Sequence, residues 1–566
     1  ADVPMGEFWM KSDYYFNTRM QTCRAMASAA HTYGKPICGA EAFTAFTEQA
    51  RWINHPFSLK ALGDEAFCEG VNRFVFHRYA HQPWLDRKPG MTMGKWGIHY
   101  ERTQTWWELS RPWHEYLARC NFMLRQGLYA ADICYLQTEG VPNGATHVAR
   151  TAYEFDACSP EVVLTRMSVR DGRLVLPDGM SYRILVLPPC EKMTPELLDK
   201  IKELVAAGAT VVGPRPNGSP SLVDYPRCDE KVRQLAAELW GEENGKPEGE
   251  HVFGLGKVIW GKTPDAVLAE QGVTPDFQCE AKDGVAEVRY IHRTVNGDEV
   301  YFIACAAEKP IAASCTFRVA GKRPEFWRPD TGRIERVADF ERFEGRTRIP
   351  IRFDPCGSVF VVFRPENSPA PTHDAEPVEL KKVAELTGPW TLHFPAGSGA
   401  PERVVADKLQ SWSECPEAGV KYFSGTAVYE KSFQLPEDAI GAGRRVYLDL
   451  GRVAVIAEVK LNGKELGILW KPPFRVDATG VLKPGENTLQ VKVTNLWPNR
   501  LIGDEQLPPD SERKSTGRLP EWPQWLLDGR PSPTGRRAFT TWNHWRKDSP
   551  LLESGLLGPV RILLAP

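Results

Sequence analysis

Long hydrophobic runs are missing: no window reaches the roughly 18 consecutive apolar residues that a membrane-crossing helix needs. The opening decapeptide ADVPMGEFWM has neither a basic leader nor an apolar stretch, so no signal peptide is expected there. An excess of either charge is also missing. Seventy Lys and Arg stand against 72 Asp and Glu, and a net charge of -2 provides no basic field to neutralise a phosphate backbone. Neither nucleic acid nor a membrane is an expected partner. The 13 cysteines stand singly from Cys23 to Cys415 without one Cys-x-x-Cys pair, which speaks against a zinc ribbon or a disulfide framework and for buried thiols acting as small hydrophobes. Apolar residues are not scarce: at 42% hydrophobic and 25% charged, the composition is that of packed globular domains rather than a disordered chain.

What is present is length, tryptophan and proline. At roughly 150 residues per domain, 566 residues suggest about four domains, and the chain holds 18 Trp and 46 Pro. Residues 1–128 alternate helical stretches with short apolar runs: a helix from near Tyr14 to His31, strands over Pro36 to Ala40 and Val71 to Phe76, and a long helix from about Arg102 to Gln126. That is the rhythm of a parallel, helix-covered sheet, with too few strands to close a barrel. Residues 129–282 continue it as a flavodoxin-like α/β layer. There Thr194 caps a helix with Pro195 in its first turn, Gly208 ends it, and no Gly-rich phosphate loop follows the strands Ala131 to Leu136 and Arg183 to Leu187. From 283 to 368 the period changes to that of hairpins, one of them around Asn296-Gly297, predicting a β-sandwich. A Pro-rich linker near Arg364 to Thr372 leads into residues 369–566, whose alternating strands predict a second sandwich of jelly-roll type.

Glu41 ends the apolar run Pro36 to Ala40. In a βα unit that position lies at the carboxyl end of a strand, where parallel-sheet enzymes assemble their sites, although a solvated glutamate opening a helix would look the same. Glu7 follows Val3 to Gly6 in the same way. Two carboxylates at successive strand ends could act as acid and base or as ligands of a hard cation. The next strand delivers His77, Tyr79 and His81, alternating polar rings that suit sugar hydroxyls better than the helical or short-loop spacing of zinc ligands. The Gly- and aromatic-rich stretch Pro89 to Tyr100, with Trp96 and His99, reads as a cleft wall.

The strings MGEFW, ICGAEAFT, FHRYAHQPW, PGMTMGKWGIHYERTQTWW and RQGLYAADICYL, followed downstream by TNLWPNRLIGD, together resemble the glycoside hydrolase family 106 α-L-rhamnosidases. The likeness runs over nearly the whole chain and is strongest in residues 1–136 and 445–566. It implies a multidomain α/β plus all-β protein: part of a (β/α)8 barrel over 1–128, a β-galactosidase-like α/β domain over 129–282, a β-sandwich over 283–368 and a galactose-binding-like β-sandwich over 369–566. It further implies hydrolysis of terminal α-L-rhamnose with inversion, outside the cytoplasm in the periplasm or the medium, by two glutamates with a calcium ion at the site. Carried onto this sequence, Glu41 becomes the general base and Glu7 a calcium or substrate ligand, while His77, Tyr79, His81, Trp96 and His99 stay the candidate substrate-binding residues on the reading of the residues themselves. The family's general acid lies upstream of these motifs, so the expectation is the carboxyl-terminal part of a longer enzyme, with an upstream polypeptide completing the barrel. Two alternatives remain open: another exo-glycosidase of β-galactosidase-like architecture, or a non-catalytic sugar-binding protein or inactive fragment. The second would be favoured if Trp470, Trp497, Trp522, Trp525, Trp542 and Trp545 lined an exposed groove.

Overall fold

The computed structural model describes residues 1–10, 20–139, 151–241, 246–281, 287–371, 373–374, 380–437 and 444–565. The chain opens as a βαβαβ unit of β1 (Met5–Trp9), α1 (Gln21–Thr32), β2 (Gly39–Thr44), α2 (Pro56–Cys68) and β3 (Arg73–Phe76), its three strands parallel in the order β1-β2-β3. The expected start of the first helix near Tyr14 lies outside the described residues. Alternation along the strands sorts the side chains. Phe8, Ala40 and Ala42 are buried under the helices, and Phe43, Phe67 and Phe74 complete an aromatic cluster with Phe8, for example Phe67 on Phe74 at 4.6 Å. Met5, Glu7, Glu41 and Val75 belong to the other set, and Met5 and Val75 are exposed.

Two bounds differ from the sequence expectation, each for a local reason. The middle strand begins at Gly39 rather than Pro36, because Pro36 has no N–H and the Cys38 N–H donates to the Asn72 side chain at 3.0 Å instead of to a neighbouring strand. Glu41 therefore lies inside the strand, not past its end. The expected helix from Arg102 to Gln126 is a 3-10 turn, Trp107–Leu109, followed by α3 (Arg111–Met123). Pro112 fits only the first turn of a helix, so α3 starts there, and the preceding loop buries Trp106, whose indole N–H donates to the Asn54 carbonyl at 3.0 Å.

Beyond this unit, strands Phe155–Cys158, Ile133–Leu136, Ile184–Val186, Thr210–Val212 and Gly256–Trp260 form a parallel sheet in that spatial order, with Gly249–Phe253 antiparallel at its edge. The helix Pro195–Ala206 is capped by the Thr194 hydroxyl. A seven-stranded sheet containing Val288–Val295, Asp298–Cys305 and Ser358–Pro365 then packs on a four-stranded one through Tyr301, Phe317 and Phe363. Two further sheets of six and four strands enclose Trp390, Trp412, Tyr429 and Leu448. The last sandwich is interrupted: its strand Gly485–Thr494 is followed by a long excursion before Gly555–Gly558 returns to the domain.

Candidate active site

Glu7, Glu41 and Val75 are register partners across the three parallel strands. Neighbouring strands lie about 4.8 Å apart, so the two carboxylates start from adjacent backbone positions on one face of the sheet. Thr22 on α1 fixes Glu7 from behind, accepting its N–H at 2.9 Å and donating to its carbonyl at 2.8 Å. Glu41 is fixed by its own strand, because the Thr44 hydroxyl donates to Oε1 at 2.5 Å. His77 follows β3, its N–H bound to the Ala42 carbonyl at 3.0 Å, and stands in the field of both carboxylates. Burial lowers the proton affinity of its ring; Glu41 and Glu7 oppose that and Arg78 adds to it, so the net shift is downward and the imidazole is held neutral.

The rim beyond the strands is laced by the segment 97–101. Gly97 N–H donates to Ala45, Ile98 to His77 and Tyr100 to Arg78, at 2.8 to 3.1 Å, and Ala80 N–H donates to Glu101 Oε1 at 2.6 Å. Tyr79, His81 and Trp96 stand exposed on this rim. His99 does not join them. It is wholly buried, tilted against Trp52 at 4.5 Å and set against the ring of His544 at 5.4 Å, and it offers a ligand no surface. The structure thus gathers Glu7, Glu41 and His77, leaves three rings at the rim, and places one in the wall.

Four residues of the site carried no usable sequence signal. Arg78 and Glu101 are buried charges inside strings that read as aromatic loop, Trp52 looks like any core indole, and His544 is 445 residues away from its partner His99. It arrives on the excursion of the last sandwich. There strand Phe539–Thr540 pairs in parallel with β4 (Pro89–Gly90), the Thr92 N–H donates to the Thr541 hydroxyl at 3.0 Å, and Trp84 meets Trp522 at 5.0 Å. The carboxyl-terminal indoles are mostly anchors. Trp470 is buried against Tyr116, Trp497 donates to Thr103, Trp525 to Asp510 and Trp545 to Arg51. These four are packed or hydrogen-bonded within the fold, whereas Trp522 is partly exposed.

Residues 1–342 match the family model described as glycoside hydrolase 106, alpha-L-rhamnosidase. The chain belongs to this family. Residues 416–522 match the galactose-binding-like domain of glycosyl hydrolase family 2. The rhamnosidase from Novosphingobium sp. PP1Y superposes on the whole chain with a TM-score of 0.86 at 32% identity, and the chain spans 51% of it. A Formosa agariphila protein, named provisionally as a beta-glucuronidase, is 29% identical over 99% of the chain, which spans 65% of that protein. The chain thus spans about half to two thirds of the length of these two proteins.

The described residues do not by themselves make a site for the calcium ion that the resemblance implies. No three His, Cys, Asp or Glu side chains among them converge as a metal site, and Glu7 with Glu41 would supply only part of the six to eight oxygens calcium takes. No helix among the described residues is long and apolar enough to cross a membrane.

Proposed function

We propose that this chain carries the general-base half of an exo-acting glycosidase, working outside the cytoplasm in the periplasm or the medium, that removes terminal α-L-rhamnose with inversion. The observation that supports it most is the adjacent register of Glu7 and Glu41 on one sheet face with neutral His77 beside them. Glu41 is the base. With Oε1 held by Thr44, its other oxygen is free to take a proton from a water that attacks the anomeric carbon from the face opposite the leaving group. As that C–O bond forms, the bond to the leaving oxygen breaks, and that oxygen receives its proton from a second carboxyl about 6.5 to 9.5 Å away, on a segment outside the described residues. His77 presents an uncharged ring to the sugar hydroxyls, and Tyr79, His81 and Trp96 form the rim through which the glycan enters.

In this reading β1, β2 and β3 are the last strands of a (β/α)8 barrel, and the exposed Met5 and Val75 belong to its interior, which further strands would cover. Glu7 would be one oxygen ligand of calcium, the remainder coming from the same added segment. The test uses the longer protein that includes those strands. Glu41→Gln keeps the shape but takes no proton, so kcat on an aryl α-L-rhamnoside is expected to fall at least about 100-fold with KM nearly unchanged. An aryl β-glucuronide is assayed beside it. Cleavage of the glucuronide alone, or normal turnover by Glu41→Gln, overturns the reading.

A further inference from the structure

The four-stranded sheet of the middle sandwich ends on the strand Phe277–Ala281, which pairs on one side only, antiparallel to Ile311–Phe317. A strand held by a single ladder opens more readily than its neighbours. Its side chains alternate: Phe277 joins the core with Tyr290 and Phe317, Cys279 packs at the margin of that core, and Gln278 and Glu280 are exposed. Directly opposite Cys279 in the register stands Cys315, wholly buried, and the two Sγ atoms are 3.7 Å apart. Facing residues of an antiparallel pair have Cα atoms about 4.5 or 5.5 Å apart, and both values lie within the roughly 4.4–6.8 Å that a disulfide spans. Bringing the sulfurs to about 2.05 Å therefore asks for side-chain rotation rather than for a shift of the strands.

The pair is asymmetric in a way that suits thiol–disulfide exchange. Cys279 is half-buried and within reach of a reagent, whereas Cys315 is enclosed. The Cys315 S–H donates to the Cys279 sulfur, which lowers the Cys279 thiol against the opposing effects of burial and of Glu280 and so favours the thiolate there. The neighbouring thiols of the parallel sheet lack this arrangement. Cys134 faces Asp156 and Cys158 faces Leu136, so that pair is diagonal, and both are buried.

We propose that Cys279 and Cys315 are a disulfide-forming pair, closed after folding by a small disulfide or a thiol oxidoreductase, and that the bond staples the edge strand to its sheet. The Cys279 thiolate attacks one sulfur of the oxidant's disulfide, forming a mixed disulfide and releasing the other sulfur as a thiolate that takes up a proton. Cys315 then gives up its proton and its sulfur attacks the Cys279 sulfur, breaking the mixed bond and releasing the second oxidant thiol. Two protein thiols become one disulfide, and the oxidant's disulfide is reduced to two thiols. The bond joins residues 36 positions apart, and the loop it closes runs through the hairpin Val288–Val295 and Asp298–Cys305 of the facing sheet, so both sheets are tied. The proposed location outside the cytoplasm supplies such oxidants, but the pairing itself does not depend on it.

The test exposes the full chain, folded and fully reduced, to oxidised glutathione, blocks the remaining thiols with N-ethylmaleimide, and maps peptides from trypsin with Glu-C, which cuts between Cys305 and Cys315 at Glu308. The expected product is lighter by two hydrogens, links the Cys279 peptide to the Cys315 peptide, is reversed by dithiothreitol, and still forms in Cys305→Ser. Amide exchange over residues 277–281 should slow about tenfold or more on oxidation. Cys315→Ser should stop at a glutathione adduct on Cys279, and Cys279→Ser should show no link. No link, an adduct on Cys279 that never closes in the parent, a link from Cys279 to another cysteine, or a link that forms only in denaturant would overturn the site. A linked chain whose edge strand exchanges as fast as the reduced one would overturn the staple. If Cys315→Ser does not fold, the parent's peptide map and Cys279→Ser decide.

Discussion

Glu101 accepts the Ala80 N–H from a fully buried position, and so holds the loop that carries His77, Tyr79 and His81. Burial pushes its carboxyl up to about 7, against the opposing pull of the Ala80 N–H, Gln82 and Arg78. The unfolded chain releases that proton near 4.5. Between those two values the folded protein binds more protons, so the stability that the protonated form contributes falls as pH rises through the window and is level above it. Glu101→Gln retains an oxygen for Ala80 and never ionises. Its melting temperature relative to the parent is expected to rise from pH 4.5 to 7 and then stay constant; a difference independent of pH would show that Glu101 ionises alike in both states. His544 has the opposite sign. Burial lowers it to about 3, with the positive charges of Lys95, Arg513, Arg51 and Arg78 adding to that, so its contribution is complete above pH 6.5 and lost as pH falls towards 3. Legibility in the sequence divides along the same line. Glu7 and Glu41 announce themselves because a charge interrupts an apolar run, whereas nothing local distinguishes Glu101 or His544 from surface residues; their roles come from burial by distant segments.

Gly6 shows how an element positions a side chain it does not contain. A Cβ at that position would lie 2.6 Å from the Thr22 carbonyl oxygen and 2.8 Å from the Cys23 nitrogen, backbone atoms of α1 that cannot turn aside. Gly6→Ala is therefore expected to separate β1 from α1 and break the double hydrogen bond by which Thr22 holds Glu7. The cost should be about 1–3 kcal/mol in urea unfolding, with activity lost beyond what that instability explains at a temperature well below melting. Gly39→Ala is the control, since its Cβ would meet only the flexible Met5 side chain. Equal effects from the two substitutions would reject the argument. The same contacts explain which elements could be read from sequence. Short apolar runs pointed to β3 and to the first residues of β2, because their small and apolar side chains pack under the helices. They put the start of β2 too early because the decisive hydrogen bond comes from the Asn72 side chain, 34 residues away. Pro112 sits in the first turn of α3 and marks its start, which the apolar pattern on either side of it does not show.

The domains are joined by buried charge rather than by linkers alone, and no period in the sequence reveals that. Arg24 on α1 reaches Glu69 at 2.7 Å, and Glu154, beside the parallel sheet, at 3.1 Å; Lys471 in the last sandwich meets Asp330 of the middle one at 2.9 Å. The most enclosed joint is Lys60 on α2. Only 2% exposed, it binds Asp64 at 2.5 Å and the Ser358 hydroxyl of the middle sandwich at 2.8 Å, while Tyr116 donates to the same aspartate. Burial raises the Asp64 carboxyl, and Lys60, Tyr116 and Ser358 are what oppose that shift. Lys60→Met removes the cation and leaves a buried carboxylate uncompensated, a change that typically costs about 3–5 kcal/mol. Lys60→Met with Asp64→Leu removes both charges and should recover much of that loss, since a buried ion pair contributes little net stability over an apolar pair of similar volume. The deficit of the single variant should also shrink on acidification, as Asp64 becomes neutral. Because this joint ties the strand-end segment to the sandwich, the single variant is expected to unfold in urea in two steps at pH 7, the site-bearing segment first. Single and double variants that unfold alike, in one step, would show that packing rather than this ionic joint couples the domains.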